Sequence, residues 1–316
     1  MIWVAVDAMG GDAAPRVAID GALAAARHFE LGVALVGPQA ALEREIARHP
    51  DIDQARVRLV DAAEMIGMEE APAVSLRRKP KASIKVAADL VARGEAAALV
   101  SAGHTGATVM AAYGAFGMVS GVDRPALAAT IPTRQRPAIL LDVGASVECR
   151  PQHLLQFAVM GSVYAHVALG IEAPRVGLLS IGEEATKGNE LTRDAHRLLK
   201  AAPLAFVGNV EARDVYSGKA DVIVCDGFTG NVALKVSEGL VEVLADFLSE
   251  EFRRRVDYSE YGGAPLLGLA GVAVVGHGRS SAKAVRNGIA LAHRFASERF
   301  VARVEQDIAA AALTHS

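Results

Sequence analysis

The chain alternates short apolar runs with longer stretches of helical spacing, and most runs end in a polar or Gly-rich turn. Residues 2–7, 32–37, 57–60, 97–101, 138–143, 176–181, 204–207, 220–225 and 272–275 are runs built mainly of Val, Leu, Ile and Ala. Runs this short, without polar alternation, are expected of strands covered on both faces. Between them, segments 15–29, 40–48, 83–93, 153–169, 231–255 and 281–299 read as helices, and the tail to residue 316 as another. The pattern predicts an α/β fold: three layers, α/β/α, around a mostly parallel sheet.

Composition narrows the class. Hydrophobic residues make up 52% of the chain and aromatic ones 5%, so the core must come from Val, Leu and Ile with close Ala and Gly packing. A length of 316 residues fits one large α/β domain, read here as two lobes sharing the sheet with the 231–255 helix as a projecting or interface element. With 33 basic residues against 36 acidic ones, no nucleic-acid footprint is expected. Cys149 and Cys225 stand in no CxxC or metal spacing, which excludes a disulfide framework, and Cys225 reads as a core residue. The start, Met1-Ile2-Trp3-Val4, has no basic region before its apolar residues and reads as a strand; a cytoplasmic location is expected. Residues 96–122 carry no Asp, Glu, Lys or Arg, yet Ser101, His104, Thr105 and several Gly argue against a membrane span.

Candidate chemistry gathers at the strand ends. After the first run comes Asp7-Ala8-Met9-Gly10-Gly11-Asp12, where paired glycines allow close backbone approach. After 97–101 comes Ala102-Gly103-His104-Thr105-Gly106 and a helix start, an arrangement whose free amides suit an anion. It is neither a GxGxxG fingerprint nor a P-loop. Further ends are Asp142 to Ser146, Gly182-Glu183-Glu184 with Lys187, Gly208-Asn209-Val210-Glu211, Asp226-Gly227-Phe228-Thr229-Gly230-Asn231, and Gly276-His277-Gly278. In a parallel sheet these ends share the carboxyl edge, where ligands bind. Arg77, Arg78, Lys79 and Lys81 around Pro80 form the densest positive cluster, either a solvated face or a dock for an acidic partner. From the residues alone, an enzyme acting on a phosphate or a phosphorylated substrate is expected.

Six motifs, in order, resemble the PlsX family, the bacterial phosphate acyltransferases of phospholipid synthesis: Asp7 to Asp12, Ser101 to Gly106, Ile181 to Glu184 with Lys187-Gly188, Gly208 to Glu211, Cys225 to Asn231, and Tyr261-Gly262-Gly263-Ala264. The resemblance implies an isocitrate/isopropylmalate dehydrogenase-like fold related to phosphotransacetylase. It implies acyl transfer from acyl carrier protein to inorganic phosphate, giving acyl phosphate. It also implies no cofactor and no metal, a homodimer, and hand-off to a membrane glycerol-3-phosphate acyltransferase, placing the protein in the cytoplasm or peripherally at the inner face of the membrane. Lys187, His104, Asp226 and Asn231 are the catalytic candidates. Asp7, Gly10, Gly11, Ser101, Gly103, Thr105, Gly106, Glu183, Gly227, Thr229, Gly230 and His277 are the substrate-binding candidates, and Arg77, Arg78, Lys79 and Lys81 the carrier dock. The family usually has Asn at the positions of His104 and Ser146, and a longer helical excursion between Gly239 and Tyr258. A phosphotransacetylase using acyl-CoA, or a non-catalytic scaffold, is the competing class. Finally, the apolar stripe of the 231–255 helix, from Val236 to Phe252, is expected to be buried against the body of the protein or a second subunit.

Overall fold

The computed structural model describes residues 1–244, 247 and 258–313. In chain order the first elements are β1 (Ile2–Asp7), α1 (Arg16–His28), β2 (Leu31–Gly37), α2 (Gln39–Ile46), β3 (Val57–Asp61), α3 (Pro72–Arg78), α4 (Ser83–Ala92), β4 (Ala98–Ser101) and α5 (Thr105–Phe116). Then come β5 (Ala126–Ile131), β6 (Ala138–Leu141), α6 (Pro151–Leu169), β7 (Arg175–Ser180), α7 (Glu190–Ala201), β8 (Ala205–Glu211), β9 (Val222–Val224) and α8 (Gly227–Leu244). The last are β10 (Ala264–Leu267), β11 (Val272–Val275), α9 (Ala282–Ser297) and α10 (Phe300–Leu313). The fold is the expected α/β class, mostly parallel with helices on both sides of the sheet.

The chain divides into two compact units, Met1–Gly117 with Tyr258–Glu298, and Met118–Asp257 with Arg299–Ser316. In the first unit the strand order is β3-β2-β1-β4-β11-β10, parallel except for β10. The step from β1 to β2 runs one way across the sheet and the step from β3 to β4 the other. Right-handed crossovers therefore put α1 and α4 on opposite faces, and the reversal lies between the neighbours β1 and β4. α1 packs on α9 and α4 on α5, and Ile19, Leu23, Leu35 and Leu99 are fully buried. In the second unit the order is β5-β6-β9-β7-β8, with only β5 antiparallel. α6 is buried along most of its length, and Phe157 and Tyr164 anchor it; α7 and α10 pack on it.

Several expectations need correction. Strand β8 runs through Gly208, Asn209 and Glu211 instead of stopping at Val207. It does so by a bulge: Phe206 pairs with Val176 and Gly208 with Gly177, so Val207 is an extra residue, and Gly208 has φ +93°. Strands β5 and β10 and helix α3 had no counterpart in the sequence pattern. The 231–255 helix begins earlier, at Gly227, and its apolar stripe is not buried by this chain. Only its first turn is: Gly227 and Gly230 are buried, whereas Val236 is 67% and Val243 73% exposed, and Leu240 and Leu244 are exposed too. Leu248 and Phe252, at the far end of that stripe, lie outside the described residues.

Candidate functional site

In the first unit, three strand ends meet at the carboxyl edge. Asp7 ends β1 and is almost fully buried; its carboxylate accepts from the Ser101 hydroxyl at 2.8 Å and the Met9 amide at 3.2 Å. Burial pushes the Asp7 carboxyl above its ordinary range, against the opposing pull of Ser83, Ser101 and the Met9 amide. Ser101 also accepts from the Gly103 amide at 3.1 Å. Its hydroxyl is thus committed on both sides, and it ties β1 to β4 across the point where strand order reverses. Gly10 must be Gly: a Cβ there would lie 2.6 Å from the Gly103 nitrogen. The third end is the turn after β11, where the Gly276 amide donates to the Ser101 carbonyl at 2.7 Å and the Asp12 amide to the Gly278 carbonyl at 2.8 Å. His277 shapes this turn by accepting from the Arg279 amide on Nδ1 at 3.1 Å. Asp7, Gly10, Gly11, Ser101, Gly103 and His277 are therefore brought together at this edge, and the contacts they make here are mostly those of a scaffold.

The open chemistry of this edge lies at the start of α5. His104 occupies the N-cap position without a side-chain cap bond, and the amides of Thr105 and Gly106 have no partner among the described residues. Such amides favour an anion. His104 Nδ1 is buried with no hydrogen-bond partner, beside a small cavity lined by Asp7, Met9, Gly10, Met65, Ile66 and Ser83. Of the basic cluster, Lys79 is engaged: its ammonium donates to both oxygens of Glu70 and to the Met65 carbonyl. Lys79, the Gly67 amide and Ser75 hold Glu70 down at about 2. Arg77, Arg78 and Lys81 are exposed.

In the second unit the strand ends after β6, β9 and β7 follow one another along the sheet. After β6, Asp142 is fully buried and gathers four amides: Leu127 at 2.8 Å, Gly144 at 3.1 Å, Ala145 at 3.0 Å and Ser146 at 2.6 Å. After β9, Asp226 caps α8, accepting from the Thr229 amide at 2.9 Å and its hydroxyl at 2.7 Å. Asn231 donates to the Val143 carbonyl at 3.0 Å, linking α8 to the loop after β6. Gly227 and Gly230 pack on Asp142 and Ser146, so close packing accounts for glycine at both positions. After β7, Glu183 pairs with Lys219 at 2.7 Å, which lowers its carboxyl below the ordinary range. Lys187 is exposed, and its ammonium has no hydrogen bond or ion pair among the described residues.

The loop carrying Lys187 is nevertheless held by Asn209, a motif residue to which the sequence assigned no role, and by His196, which it did not single out. Asn209 is buried and donates to the carbonyls of Gly182 at 3.1 Å and Glu184 at 2.9 Å. The Lys187 amide donates to that same Glu184 carbonyl at 3.0 Å. His196 on α7 bonds Asn209 Oδ1 at 2.9 Å. The only signal for this in sequence was Gly208, the residue that permits the bulge. Among the described residues no group of three His, Cys, Asp or Glu is placed to hold a metal, and no helix is long and apolar enough to cross a membrane.

Comparison with known proteins now adds to this geometry. Residues 2–303 match the family model described as "Fatty acid synthesis protein". A phosphate acyltransferase of Nitratidesulfovibrio vulgaris is 49% identical, covering 97% of this chain and 95% of its own. One of Geobacter sulfurreducens is 47% identical, covering 92% and 90%. Among solved structures, a phosphotransacetylase from Streptococcus pyogenes superposes with a TM-score of 0.72 at 18% identity, over 94% of each chain. A branched-chain phosphotransacylase from Enterococcus faecalis gives 0.62 at 16% identity, over 94% of this chain and 99% of that one. These structural likenesses bear on the fold alone. With close relatives over nearly its whole length, the chain belongs to the fatty acid synthesis protein family of phosphate acyltransferases.

Proposed function

We propose that the protein moves a fatty acyl group from the thioester of acyl carrier protein to inorganic phosphate, and that the acyl phosphate feeds phosphatidic acid synthesis. The observation that carries this reading is the Lys187 ammonium beyond the end of β7, without a partner among the described residues, in a loop otherwise tied down by hydrogen bonds. A phosphate oxygen attacks the thioester carbon, the C–O bond forms, and the C–S bond breaks as the pantetheine thiolate leaves. Phosphate is already an oxyanion near neutral pH, so orientation matters more than activation. Taken unit by unit, the α5 amides of Thr105 and Gly106 in the first suit an anion such as phosphate, and Lys187 in the second suits an oxygen on which negative charge develops. His104 serves as an auxiliary donor. Arg77, Arg78 and Lys81 receive the acidic carrier, while Lys79 shapes the loop beside them. No metal or nucleotide takes part in this scheme.

A second copy of the chain covers the exposed face of α8, giving a homodimer in the cytoplasm, from which product passes to a membrane glycerol-3-phosphate acyltransferase. Purified protein given phosphate and either carrier thioester or CoA thioester tests the donor. Acyl phosphate should form from the carrier thioester in the presence of chelator, and turnover only on CoA would overturn the reading. Lys187→Ala should lower turnover about 100-fold, the usual cost of removing one oxyanion-stabilising group, with the circular dichroism unchanged. Activity within a factor of about three of the parent would make Lys187 a surface residue.

A further inference from the structure

We infer that Asn209 and His196 are positioning residues of this enzyme, acting together as a clamp that holds the Lys187 loop in its working shape. The inference rests on the reading of Lys187 given above, and it starts from the strand. Residues three apart on a regular strand point to opposite faces. In β8 the extra residue Val207 changes this, so Phe206, paired with Val176, and Asn209, paired with Leu178, share one face. Both then reach His196: the Phe206 ring lies edge-on to it with centroids 5.1 Å apart, and Asn209 is hydrogen-bonded to it at 2.9 Å. A bulge beside a site commonly re-aims a side chain in this way.

Hydrogen-bond chemistry then fixes which way the Asn209 amide faces and places a hydrogen on His196 Nδ1. The Asn209 amide nitrogen faces the carbonyls of Gly182 and Glu184, so it must be the donor, and Oδ1 must face His196. His196 Nδ1 must accordingly carry a hydrogen. From Asn209 the chain of contacts runs to the Glu184 carbonyl, and from there to the Lys187 amide that the same carbonyl accepts. A buried amide with all its groups satisfied is a rigid point on which to fix a loop.

The test exploits the atom bonded to Cγ. His196→Asn places an amide nitrogen where Nδ1 stood and keeps the donor, whereas His196→Asp places an acceptor there and forces the Asn209 amide to turn over, setting its oxygen against two carbonyls. We expect His196→Asp to lower kcat about tenfold, since small misplacements of a working group are costly. His196→Asn should bring the rate back to within about threefold of the parent. Combined with Lys187→Ala, His196→Asp should add no further loss, because both changes act on one group. Equal losses in the Asn and Asp variants, or losses that multiply with Lys187→Ala, would overturn the clamp. If Lys187→Ala alone stays active, it is the reading of Lys187 that fails, and the clamp is then judged by hydrogen exchange. Exchange of the Lys187 amide should be faster in His196→Asp and unchanged in His196→Asn; no acceleration in the Asp variant refutes the clamp itself.

Discussion

Gly230 and Gly239 lie on the same helix, α8, and the same substitution should act on them with opposite sign. A Cβ at Gly230 would fall 1.9 Å from the Asp142 carbonyl oxygen, about 1.5 Å inside an ordinary contact of 3.4 Å, and 2.8 Å from Cys225 Sγ. Neither a backbone carbonyl nor the buried Cys225 can swing aside, so the first turn of α8 must lift away from the loop after β6. Overpacking of this kind costs about 1–3 kcal/mol, and a clash against backbone belongs at the upper end. Alanine in a helix returns about 1 kcal/mol, leaving a net loss of about 2 kcal/mol. At Gly239 a Cβ meets nothing within 4 Å, so only the helix term remains, a gain of about 0.5–1 kcal/mol. For a unit of this size each kcal/mol moves Tm by about 2–4 °C. Thermal unfolding followed by circular dichroism should therefore show Gly230→Ala about 4–8 °C below the parent and Gly239→Ala slightly above it. A Gly230→Ala protein as stable as the parent would refute the packing of α8 on Asp142, and with it the packing account of glycine at that position.

Other outcomes follow from the same structure. Asp142→Asn turns one acceptor of four amides into a donor facing the Ser146 amide, and should cost about 1–3 kcal/mol, read by urea unfolding. Burial alone would raise the Asp221 carboxyl, but Arg175 and Arg136 bring it to about 2 against an ordinary 3.8. The stability it contributes is whole above its ordinary pKa and is lost as pH falls toward 2, so Asp221→Asn should flatten the stability profile between these values. Arg77→Glu with Arg78→Glu should raise KM for the carrier thioester at low salt, whereas Lys79→Ala should lower stability more than docking; equal effects on KM would refute the distinction. Leu244→Glu with Phe247→Glu should give monomer by light scattering, and an unchanged dimer would exclude this face as the interface.

Much of the fold was legible because buried parallel strands advertise themselves as continuous apolar runs, as β1, β2 and β7 do. The antiparallel strand β5 was not, since Ala126-Leu127-Ala128-Ala129-Thr130-Ile131 has neither strand composition nor alternation; pairing with β6 makes it a strand. Helix α8 was read correctly as amphipathic, yet amphipathicity says that a face wants cover and not what covers it. At the candidate site, residue types were legible and their duties less so. Asp226 looked like chemistry because it stands at a strand end, and in the structure it caps a helix. Asn209 looked like a strand terminus, since Gly208 permits a bulge but does not by itself show that one residue of β8 is left out of register. Its task depends on His196, thirteen positions away on another element.

The four amides around Asp142 have a consequence for where phosphate can go. Converging backbone N–H groups, such as those of Gly144, Ala145 and Ser146, make a concavity that takes up an anion. Here the Asp142 carboxyl, held in place by its own chain, already takes up these amides, so a dissolved phosphate would have to displace it. The end of β6 thus resembles an anion site in sequence and is one in structure, occupied permanently by the chain itself. Its selectivity is that of a sealed socket, and a free anion must be received at those strand ends whose donors the protein has left vacant.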